Sequence, residues 1–284
     1  MAKKQICALT TALIEQYEAE LRNRERSEAT VQKYVYALGV LRAYLAGAVL
    51  TKAALIEWKG TLTQRYAPAS VNGMLAAVNT FLDFQGWAEL KVKPLKIQKA
   101  LFRDEEKELT REEYVRLVRA AQREGNERLA LVIQTICATG IRVSELEYIT
   151  VEAVQCGRGV VDNKGKRRTV FLPDKLRRLL LAYLKKEKRI AGPVFVTRRG
   201  HPLNRSNIWR DMKALCESAH VAPGKVFPHN LRHLFAQTYY KLEKDLSRLA
   251  DILGHSNVNT TRIYTAESGA THARQIEQMG LLVT

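Results

Sequence analysis

Apolar residues recur every three or four positions through most of residues 10–88, and this spacing restricts the fold more than any other feature of the chain. It predicts consecutive helices over residues 13–21, 31–45, 53–62 and 71–84. Short connections that carry Gly, Pro, Thr and Ser separate these helices, and no strand pattern interrupts them. The segment is therefore expected to form a bundle of about four helices.

A charged stretch that contains Pro94 breaks the helical rhythm between residues 91 and 107, as is typical of a linker between domains. We therefore expect a helical domain over residues 1–92, a linker over 93–107 and a second domain over 108–284. The chain has 284 residues, which is enough for two separate hydrophobic cores.

The second domain opens with a helix-capping pattern, because Thr110 is followed three residues later by Glu113 and then by an apolar run. A strongly apolar helix is expected over residues 127–139, with Gly140 at its end. Further helices are expected from residue 174 and over residues 204–219, 229–242, 246–253 and 260–265.

Two apolar β-rich segments, residues 160–161 and 169–172, flank a basic turn and predict a β-hairpin. Residues 194–196, Val-Phe-Val, predict one more short strand. The expected fold is thus mainly α with a small antiparallel β-sheet, an N-terminal helical bundle being followed by a mixed second domain.

The composition is strongly basic, with 46 Lys and Arg against 29 Asp and Glu and a formal net charge of +17. Such a surface attracts polyanions, and nucleic acid is the commonest of them because each neutralised phosphate releases condensed counterions. Charge alone leaves open a generic basic protein or an acidic lipid surface. The opening residues show no apolar signal segment, and no apolar run reaches the roughly 18–20 residues that span a bilayer, so a cytoplasmic location without membrane partners is expected.

The cysteines give no sign of a metal or redox site. No two of them form a Cys-x-x-Cys pair, and none lies next to a histidine at the spacing of a zinc site. All are expected to be reduced and mostly structural; they are Cys7, Cys137, Cys156 and Cys216.

Two arginines stand in contexts that suit phosphate binding. Arg142 follows Gly140 and opens the next helix, where unpaired backbone amides favour anions, and Glu145 could hold its guanidinium. Arg232 shares a helical face with His229, which places a proton carrier beside a bidentate phosphate ligand. An ordinary surface arginine, or a helix with a satisfied histidine, would give the same patterns, so neither pattern decides alone.

A tyrosine and two lysines add three candidate catalytic groups. Tyr264 follows Gly254-His255, and its hydroxyl could act as a nucleophile only where nearby cations stabilise the developing charge. Lys164 and Lys166 occupy the hairpin tip, where a lysine could protonate a leaving alkoxide. Without a catalytic role, the tyrosine would be a residue of the hydrophobic core and the two lysines would belong to a solvated basic turn.

Together these signals resemble the tyrosine recombinase (phage integrase) family. Between Arg142 and Tyr264, the order Arg, Lys, His-x-x-Arg, Gly-His and Tyr is that of the family, and three phrases look like its signature boxes: Ala-Thr-Gly-Ile-Arg-Val-Ser-Glu-Leu, Pro-His-Asn-Leu-Arg-His-Leu-Phe-Ala and Leu-Gly-His-Ser-Asn-Val-Asn-Thr-Thr-Arg-Ile-Tyr. The resemblance covers residues 108–270 and extends more loosely to the N-terminal bundle, which looks like the SAM-like domain with which the family binds its core DNA site.

The resemblance implies a role for each candidate residue. Arg142 and Arg232 would bind the scissile phosphate, and Tyr264 would form a covalent 3′-phosphotyrosyl link that a 5′-hydroxyl later reverses. His229 would assist proton transfer from the tyrosine, and His255 would hydrogen-bond the phosphate. Because the ester conserves the energy of the broken bond, the family uses neither ATP nor a metal, and no cofactor is expected.

The resemblance also assigns the general acid to a lysine of the hairpin, but the exact lysine is ambiguous. Family members read Gly-Lys-Gly-x-Lys-x-Arg, whereas residues 163–168 read Asn-Lys-Gly-Lys-Arg-Arg, one residue shorter. Keeping the Lys-Gly step selects Lys164, which is the preferred assignment. Alignment backwards from Arg168 favours Lys166 instead.

The partners that the resemblance implies are double-stranded DNA and a homotetramer on paired recombination sites, with accessory DNA-bending or directionality factors as a further option. The tail over residues 272–282 either docks into a neighbouring protomer, as in the family, or packs on its own domain. The target site cannot be read from one sequence. The departures of the hairpin and bundle from the Xer pattern favour integration and excision of a mobile element over Xer-type dimer resolution.

Three rival functions remain open at this point. A type IB topoisomerase would share the tyrosine and arginines but relax supercoils, and the Leu-Gly-His-Ser box and the small size argue against it. A catalytically silent DNA-binding protein would share the fold, but the complete set of residues argues against it. A metal-dependent nuclease would need a carboxylate cluster, which the sequence does not show.

Overall fold

The computed structural model describes residues 8–97, 105–163, 165–255, 257–264, 274 and 277–279, with the backbone alone at residues 105, 163 and 166. The chain divides into two compact units, Met1–Lys99 and Ala100–Thr284. Each unit has a hydrophobic core of its own.

Four α-helices form the described part of the first unit, as the periodicity of the sequence predicts: α1 (Thr11–Asn23), α2 (Glu28–Leu45), α3 (Lys52–Arg65) and α4 (Pro68–Phe84). The hydroxyls of Thr10 and Thr51 accept hydrogen bonds from backbone amides in the first turns of α1 and α3. The core between the helices is aromatic at its centre, where Tyr17, Trp58 and Phe81 are almost fully buried. Burial of these apolar faces holds the bundle together.

Seven α-helices belong to the described part of the second unit: α5 (Arg111–Arg123), α6 (Glu127–Thr139), α7 (Val151–Cys156), α8 (Asp174–Lys186), α9 (Arg205–Ala214), α10 (Pro228–Glu243) and α11 (Leu246–Leu253). The most apolar of them, α6, packs against α5, α8 and α10. The expected capping box is present, because the Thr110 hydroxyl and the Glu113 carboxylate each accept a hydrogen bond from the other residue's backbone amide. Gly140 ends α6 in the left-handed conformation, as expected.

The expected hairpin is also present, as strands β1 (Arg158–Asn163) and β2 (Lys166–Phe171). The strands are antiparallel, with Asn163 opposite Lys166 at the turn and Arg158 opposite Phe171 at the far end. Alternation along each strand directs Val161 and Val170 into the core of the unit, whereas Phe171 is exposed.

The expected strand over residues 194–196 is wrong. Val196 pairs with Pro202 and Thr150 pairs with Pro193, each as a single isolated bridge. The backbone hydrogen bonds of each bridge are made by the residues that flank the proline, and neither bridge continues into a ladder.

Two expected helices are shorter than the sequence suggests. The first, α9, ends at Ala214, and turns lead from there to His220, whose φ of +52° reverses the chain. The expected helix over residues 260–265 is replaced by two 3-10 turns, Val258–Thr260 and Arg262–Tyr264. Further 3-10 turns are Ala88–Leu90, Glu105–Lys107, Val143–Tyr148 and Pro223–Lys225.

In the tail, Met279 is exposed, whereas Ile276, Leu281 and Leu282 lie outside the described residues. Among the helices that are described, none combines the length and the apolar character that crossing a bilayer requires.

Candidate active site at the end of helix α11

Three arginines from distant parts of the chain bind the C-terminus of α11. Arg168 Nη1 donates to the carbonyl of residue 252 (3.0 Å), Arg232 Nη2 to that of residue 253 (2.7 Å) and Arg142 Nη2 to that of residue 254 (3.3 Å). The last carbonyls of a helix lack partners within the helix and lie at the negative end of its dipole, so they are natural acceptors for guanidinium groups. The three consecutive carbonyls thus bring three positive charges to one point.

A glycine is required where α11 ends. Gly254 has a φ of +64°, and a Cβ atom on it would lie 2.7 Å from Cδ of Arg168. The close approach of the arginine and the left-handed backbone both exclude a larger residue. This turn places His255 directly after the three carbonyls that accept hydrogen bonds from the arginines.

Glu145 joins two of the arginines. The residue is 1% exposed, and its Oε1 accepts a hydrogen bond from Arg142 Nη1 (2.7 Å). Its Oε2 accepts from Arg168 Nη2 (2.6 Å) and from the backbone amide of Arg142 (2.8 Å). The sequence predicts that Glu145 holds Arg142, and this contact is confirmed. The contact with Arg168 was missed, although strand alternation opposite the buried Val161 could have shown that Arg168 points inward.

Arg232 is buried rather than solvated, with 1% of its surface exposed. Nη1 donates to the carbonyl of Gly140 (2.5 Å), and Nη2 lies 3.0 Å from Nε2 of His255 in addition to its bond with Leu253. Burial, followed by the charge of Arg142, lowers the pKa of Arg232 to about 10, so the guanidinium stays charged at neutral pH. Three of the five N–H donors that a guanidinium carries are engaged in these contacts.

His255 is held in one tautomer. Because Arg232 can only donate, Nε2 of His255 must accept, and the proton on Nδ1 then donates to Oγ1 of Thr261 (2.8 Å). Burial and the charges of Arg232 and Arg142 lower the pKa of His255 to about 4, so the ring is neutral at physiological pH. Thr261, which is fully buried, was not anticipated from the sequence.

Tyr264 lies beside these groups with 3% of its surface exposed. Its ring stacks on that of His255, with 6.1 Å between the centroids, and meets the ring of His233 edge-on at 4.9 Å. Its Oη is buried and makes no hydrogen bond of ordinary geometry within the described part of the chain, but the Arg232 guanidinium lies close enough to interact with it. Burial raises the pKa of Tyr264, while the nearby charges of Arg232 and Arg142 oppose this rise.

His229 lies one turn before His233 on α10, and the two ring centroids are 4.5 Å apart. The ring of His233 thus contacts both His229 and Tyr264. Desolvation by the surrounding protein, followed by the charges of Arg232 and Arg142 and also of Arg205, lowers the pKa of His229.

The structure therefore brings together Arg142, Arg232, His255 and Tyr264, with His229 at the edge of the group. Lys164 lies outside the described residues, and only the backbone of Lys166 is described. In the described ranges, no group of three or more His, Cys, Asp or Glu side chains could hold a metal ion. Cys137, Cys156 and Cys216 are free thiols, whereas Cys7 lies outside the described residues.

Comparison with known families agrees with this geometry. The model of the phage integrase family matches residues 107–270, which include every residue of the candidate site. The model of the phage integrase N-terminal SAM-like domain matches residues 14–89, the region of the four-helix bundle.

Individual proteins show the same likeness along most of the chain. Tyrosine recombinase XerA of Thermococcus kodakarensis is 29% identical over 282 residues, covering 95% of this chain and 96% of the relative. The crystal structure of XerH bound to its difH substrate in a pre-cleavage complex has a TM-score of 0.71 at 21% identity, covering 94% of this chain and 83% of that one. A lambda integrase tetramer bound to a Holliday junction has a TM-score of 0.73 at 18% identity, covering 92% and 78%.

The two solved structures show the shared fold. The match to the family model spans more than half of the residues, and it shows the family to which the chain belongs. The chain therefore belongs to the phage integrase family of tyrosine-type site-specific recombinases.

Proposed function

We propose that this protein cleaves and rejoins double-stranded DNA at specific sites, with Tyr264 as the nucleophile. The observation that carries the proposal is the convergence of Arg142, Arg232, His255 and Tyr264 at the C-terminus of α11. The site contains a group of three positive side chains and one negative side chain, which we call the arginine cluster. Its members are Arg142, Arg168, Arg232 and Glu145. Such a preorganised excess of positive charge suits a phosphoryl group that gains charge in the transition state.

In the first step, Oη of Tyr264 attacks the scissile phosphorus and the bond from phosphorus to the 5′-oxygen breaks. The product is a 3′-phosphotyrosyl ester and a free 5′-hydroxyl. In the second step, the 5′-hydroxyl of the partner strand attacks the ester, releases the tyrosine and restores the DNA backbone. One phosphodiester is thus exchanged for another, and the chemistry balances without ATP.

The two protons need separate carriers. His229 is the candidate base for the phenol proton, because its lowered pKa keeps the ring neutral and able to accept a proton at pH 7. Lys164, or Lys166 as the alternative, would protonate the leaving 5′-oxygen. His255 already accepts from Arg232, so it would orient that guanidinium and share its hydrogen bond with a bound phosphate oxygen.

Arg142 is the arginine best placed to meet the DNA, because its side chain remains 32% exposed while that of Arg168 is 12% exposed. Oη of Tyr264 is buried beside Arg232, whereas the phosphate would bind at the exposed part of Arg142. We therefore expect Oη to leave its buried position and approach the phosphate when DNA binds.

Exposed arginines lie on α9 and in the preceding loop, and one of them is near the site. Arg205 is exposed and lies close enough to His229 to lower its pKa, and Arg198 and Arg199 are exposed in the preceding loop. Contacts of this kind with phosphates position a protein on the duplex without reading its sequence. We infer a homotetramer on paired sites in the cytoplasm, in line with the lambda integrase tetramer on a Holliday junction.

Two biological roles fit the same chemistry, namely integration or excision of a mobile element and resolution of replicon dimers. The full-length similarity to XerA favours a Xer-type role. The shortened hairpin at residues 163–168 favours a mobile element.

The test is capture of a covalent protein–DNA adduct. Wild-type protein, Tyr264→Phe and the control Tyr239→Phe are incubated in EDTA with a pool of nicked duplexes whose central sequence is random, and covalently bound DNA is recovered under denaturing conditions and sequenced. We expect adducts with a common sequence for the wild type and Tyr239→Phe, and none for Tyr264→Phe. DNA binding without an adduct for the wild type would favour a silent DNA-binding protein.

The recovered sequence then separates recombination from topoisomerase activity. Plasmids that carry one copy or two copies of the site are compared for relaxation and for exchange of flanking DNA. We expect exchange only with two copies. Relaxation that needs no partner site would support the topoisomerase alternative.

A further inference from the structure

Arg168 has no role in the chemistry derived so far, yet it is one of the most constrained side chains of the site. It extends from β2, is largely buried, and bonds at the same time to the Glu145 carboxylate (2.6 Å) and to the carbonyl of Ile252 (3.0 Å). Both its terminal nitrogens are therefore engaged with protein groups. Arg168 is in no position to bind the DNA as Arg142 can.

The charges explain why a second arginine is needed. Glu145 bonds to Arg142 through Oε1, so the two side chains alone would form a neutral pair. A neutral pair attracts a phosphate only weakly, because the repulsion by the carboxylate offsets the attraction by the guanidinium. The second carboxylate oxygen bonds to Arg168, whose positive charge offsets that of the carboxylate.

We propose that Arg168 is a positioning residue that neutralises Glu145 and fixes it to the end of α11, so that Arg142 keeps its positive charge and its direction for the scissile phosphate. The inference deepens the proposed function and rests on it. Arg168 acts through Glu145 and does not touch the substrate.

A positioning role of this kind predicts an unusual genetic interaction. Arg168→Ala leaves Glu145 and Arg142 as a neutral pair, in which the carboxylate cancels the charge of Arg142. Adding Glu145→Gln removes the negative charge and should restore part of the activity, although Glu145 by itself supports Arg142. A residue that only stabilises the fold would instead give losses that add, or a double variant that is worse than either single variant.

The experiment measures the single-turnover rate of covalent adduct formation on a nicked duplex recovered with the wild type. Arg168→Ala is expected to lower the rate by roughly 10- to 100-fold, the size of effect that displaced supporting groups produce. The double variant Arg168→Ala/Glu145→Gln is expected to be faster than Arg168→Ala. Arg168→Lys, which keeps the charge but lacks the planar fork, is expected to fall between Arg168→Ala and the wild type.

The matched control is Arg167→Ala. Arg167 is the neighbouring residue of β2, its side chain is 79% exposed, and it pairs with Asp162 rather than with the site. Its rate is expected to stay within about twofold of the wild type. Thermal unfolding of every variant shows whether it is folded at the assay temperature, and Arg168→Lys replaces Arg168→Ala if the latter unfolds.

A scissile methylphosphonate, which lacks the charge of the phosphate, gives a second readout. If Arg168 preserves the charge of Arg142, the loss caused by Arg168→Ala or Arg168→Lys should be smaller on the methylphosphonate than on the phosphate. Equal losses on both substrates, or a double variant no faster than Arg168→Ala, would overturn the proposal. If the wild type itself forms no adduct, the proposed function fails and this inference fails with it, whereas a wild-type rate for Arg168→Ala overturns only the inference.

Discussion

The two units of the molecule bury different kinds of side chain. In the first unit, the buried core of the described residues is apolar, with Trp58, Phe81 and Tyr17 at its centre. In the second unit, burial extends to residues with charged, amide or hydroxyl side chains: Thr135, Thr139, Glu145, Asn230, Arg232, Gln237 and Thr261. Within the described part of the chain, every buried Thr, Glu, Asn, Arg and Gln belongs to the second unit.

The apolar side chains buried in the first unit stabilise its fold, whereas the polar and charged side chains buried in the second unit include those of the candidate active site. An apolar core stabilises a fold in proportion to the surface that it removes from water. A buried ion pair contributes little net stability, because the loss of hydration offsets the attraction, but each member becomes costly to remove. The arginine cluster therefore holds charges in place for the reaction rather than for the stability of the fold.

The largest effect is expected when Arg232 is replaced by Met, which has a similar length but no charge. The carbonyls of Gly140 and Leu253 would lose their partner, so the second unit should lose roughly 3 kcal/mol of its free energy of unfolding. The rate of adduct formation should fall by about 100- to 1,000-fold or more. Calorimetry and single-turnover assays measure both effects, with exposed Lys241→Ala on the same helix as the control. Unchanged stability would contradict the view that these contacts hold the site.

In the first unit, a substitution in the core is expected to cause a comparable loss of stability without removing a residue of the candidate active site. Trp58→Ala removes a side chain that is 1% exposed and should cost about 3–5 kcal/mol of the free energy of unfolding of that unit. Trp209→Ala, in which the tryptophan is 49% exposed, is the matched control and should change stability by less than about 0.5 kcal/mol. Scanning calorimetry should show one shifted transition and one unshifted transition for Trp58→Ala. A joint shift would show that the two units do not unfold independently.

A smaller effect is a difference between the units in how their free energy of unfolding depends on pH. All six histidines of the sequence lie in the second unit. The pKa of His255 is about 4 in the folded protein, below its ordinary value of about 6.5. The unfolded chain therefore takes up the proton first, so this stabilisation is complete above pH 6.5 and is lost as the pH falls towards 4. The loss should be roughly 2–3 kcal/mol after allowance for solvent screening.

Unfolding of wild type and His255→Gln between pH 7 and pH 4 tests this effect. The variant should show a shallower decline in the second unit, while the first unit should respond equally in both proteins. His229 contributes in the same direction, because its pKa is also lowered. Identical slopes for the two proteins would refute the assignment of a neutral, buried His255.

The smallest expected effect concerns the exposed arginine near the site. Arg205→Ala should raise the pKa of His229, because a neighbouring positive charge is removed, while the pKa of His255 serves as an internal control that should not change. NMR titration of the histidine rings measures both values. If Arg205 also contacts a phosphate, the slope of log affinity against log salt concentration should decrease by about one. An unaltered pKa of His229 would place Arg205 too far from the site for either role.

Several features of the molecule could be predicted from the sequence because their causes are local. The helices of the first unit follow from apolar spacing, and the end of α6 follows from a glycine that adopts the left-handed conformation. The hairpin follows from two β-rich segments around a basic turn. The strand expected over residues 194–196 was wrong because residues distant in the chain pair with this region only in two isolated bridges, Thr150 with Pro193 and Pro202 with Val196.

The sequence by itself determined the identity and order of the candidate residues and the helical character of both units, since residue chemistry and periodicity are properties of neighbouring positions. Only the tertiary structure decided that Arg142 and Arg168 share the carboxylate of Glu145 and that Arg232 is buried. It also decided that His255 is neutral. The physical reason is that burial, hydrogen bonding and pKa depend on groups far apart in the chain, such as Arg142 and the carbonyl of Gly254, 112 positions away, which packing of the helices brings within 3.3 Å.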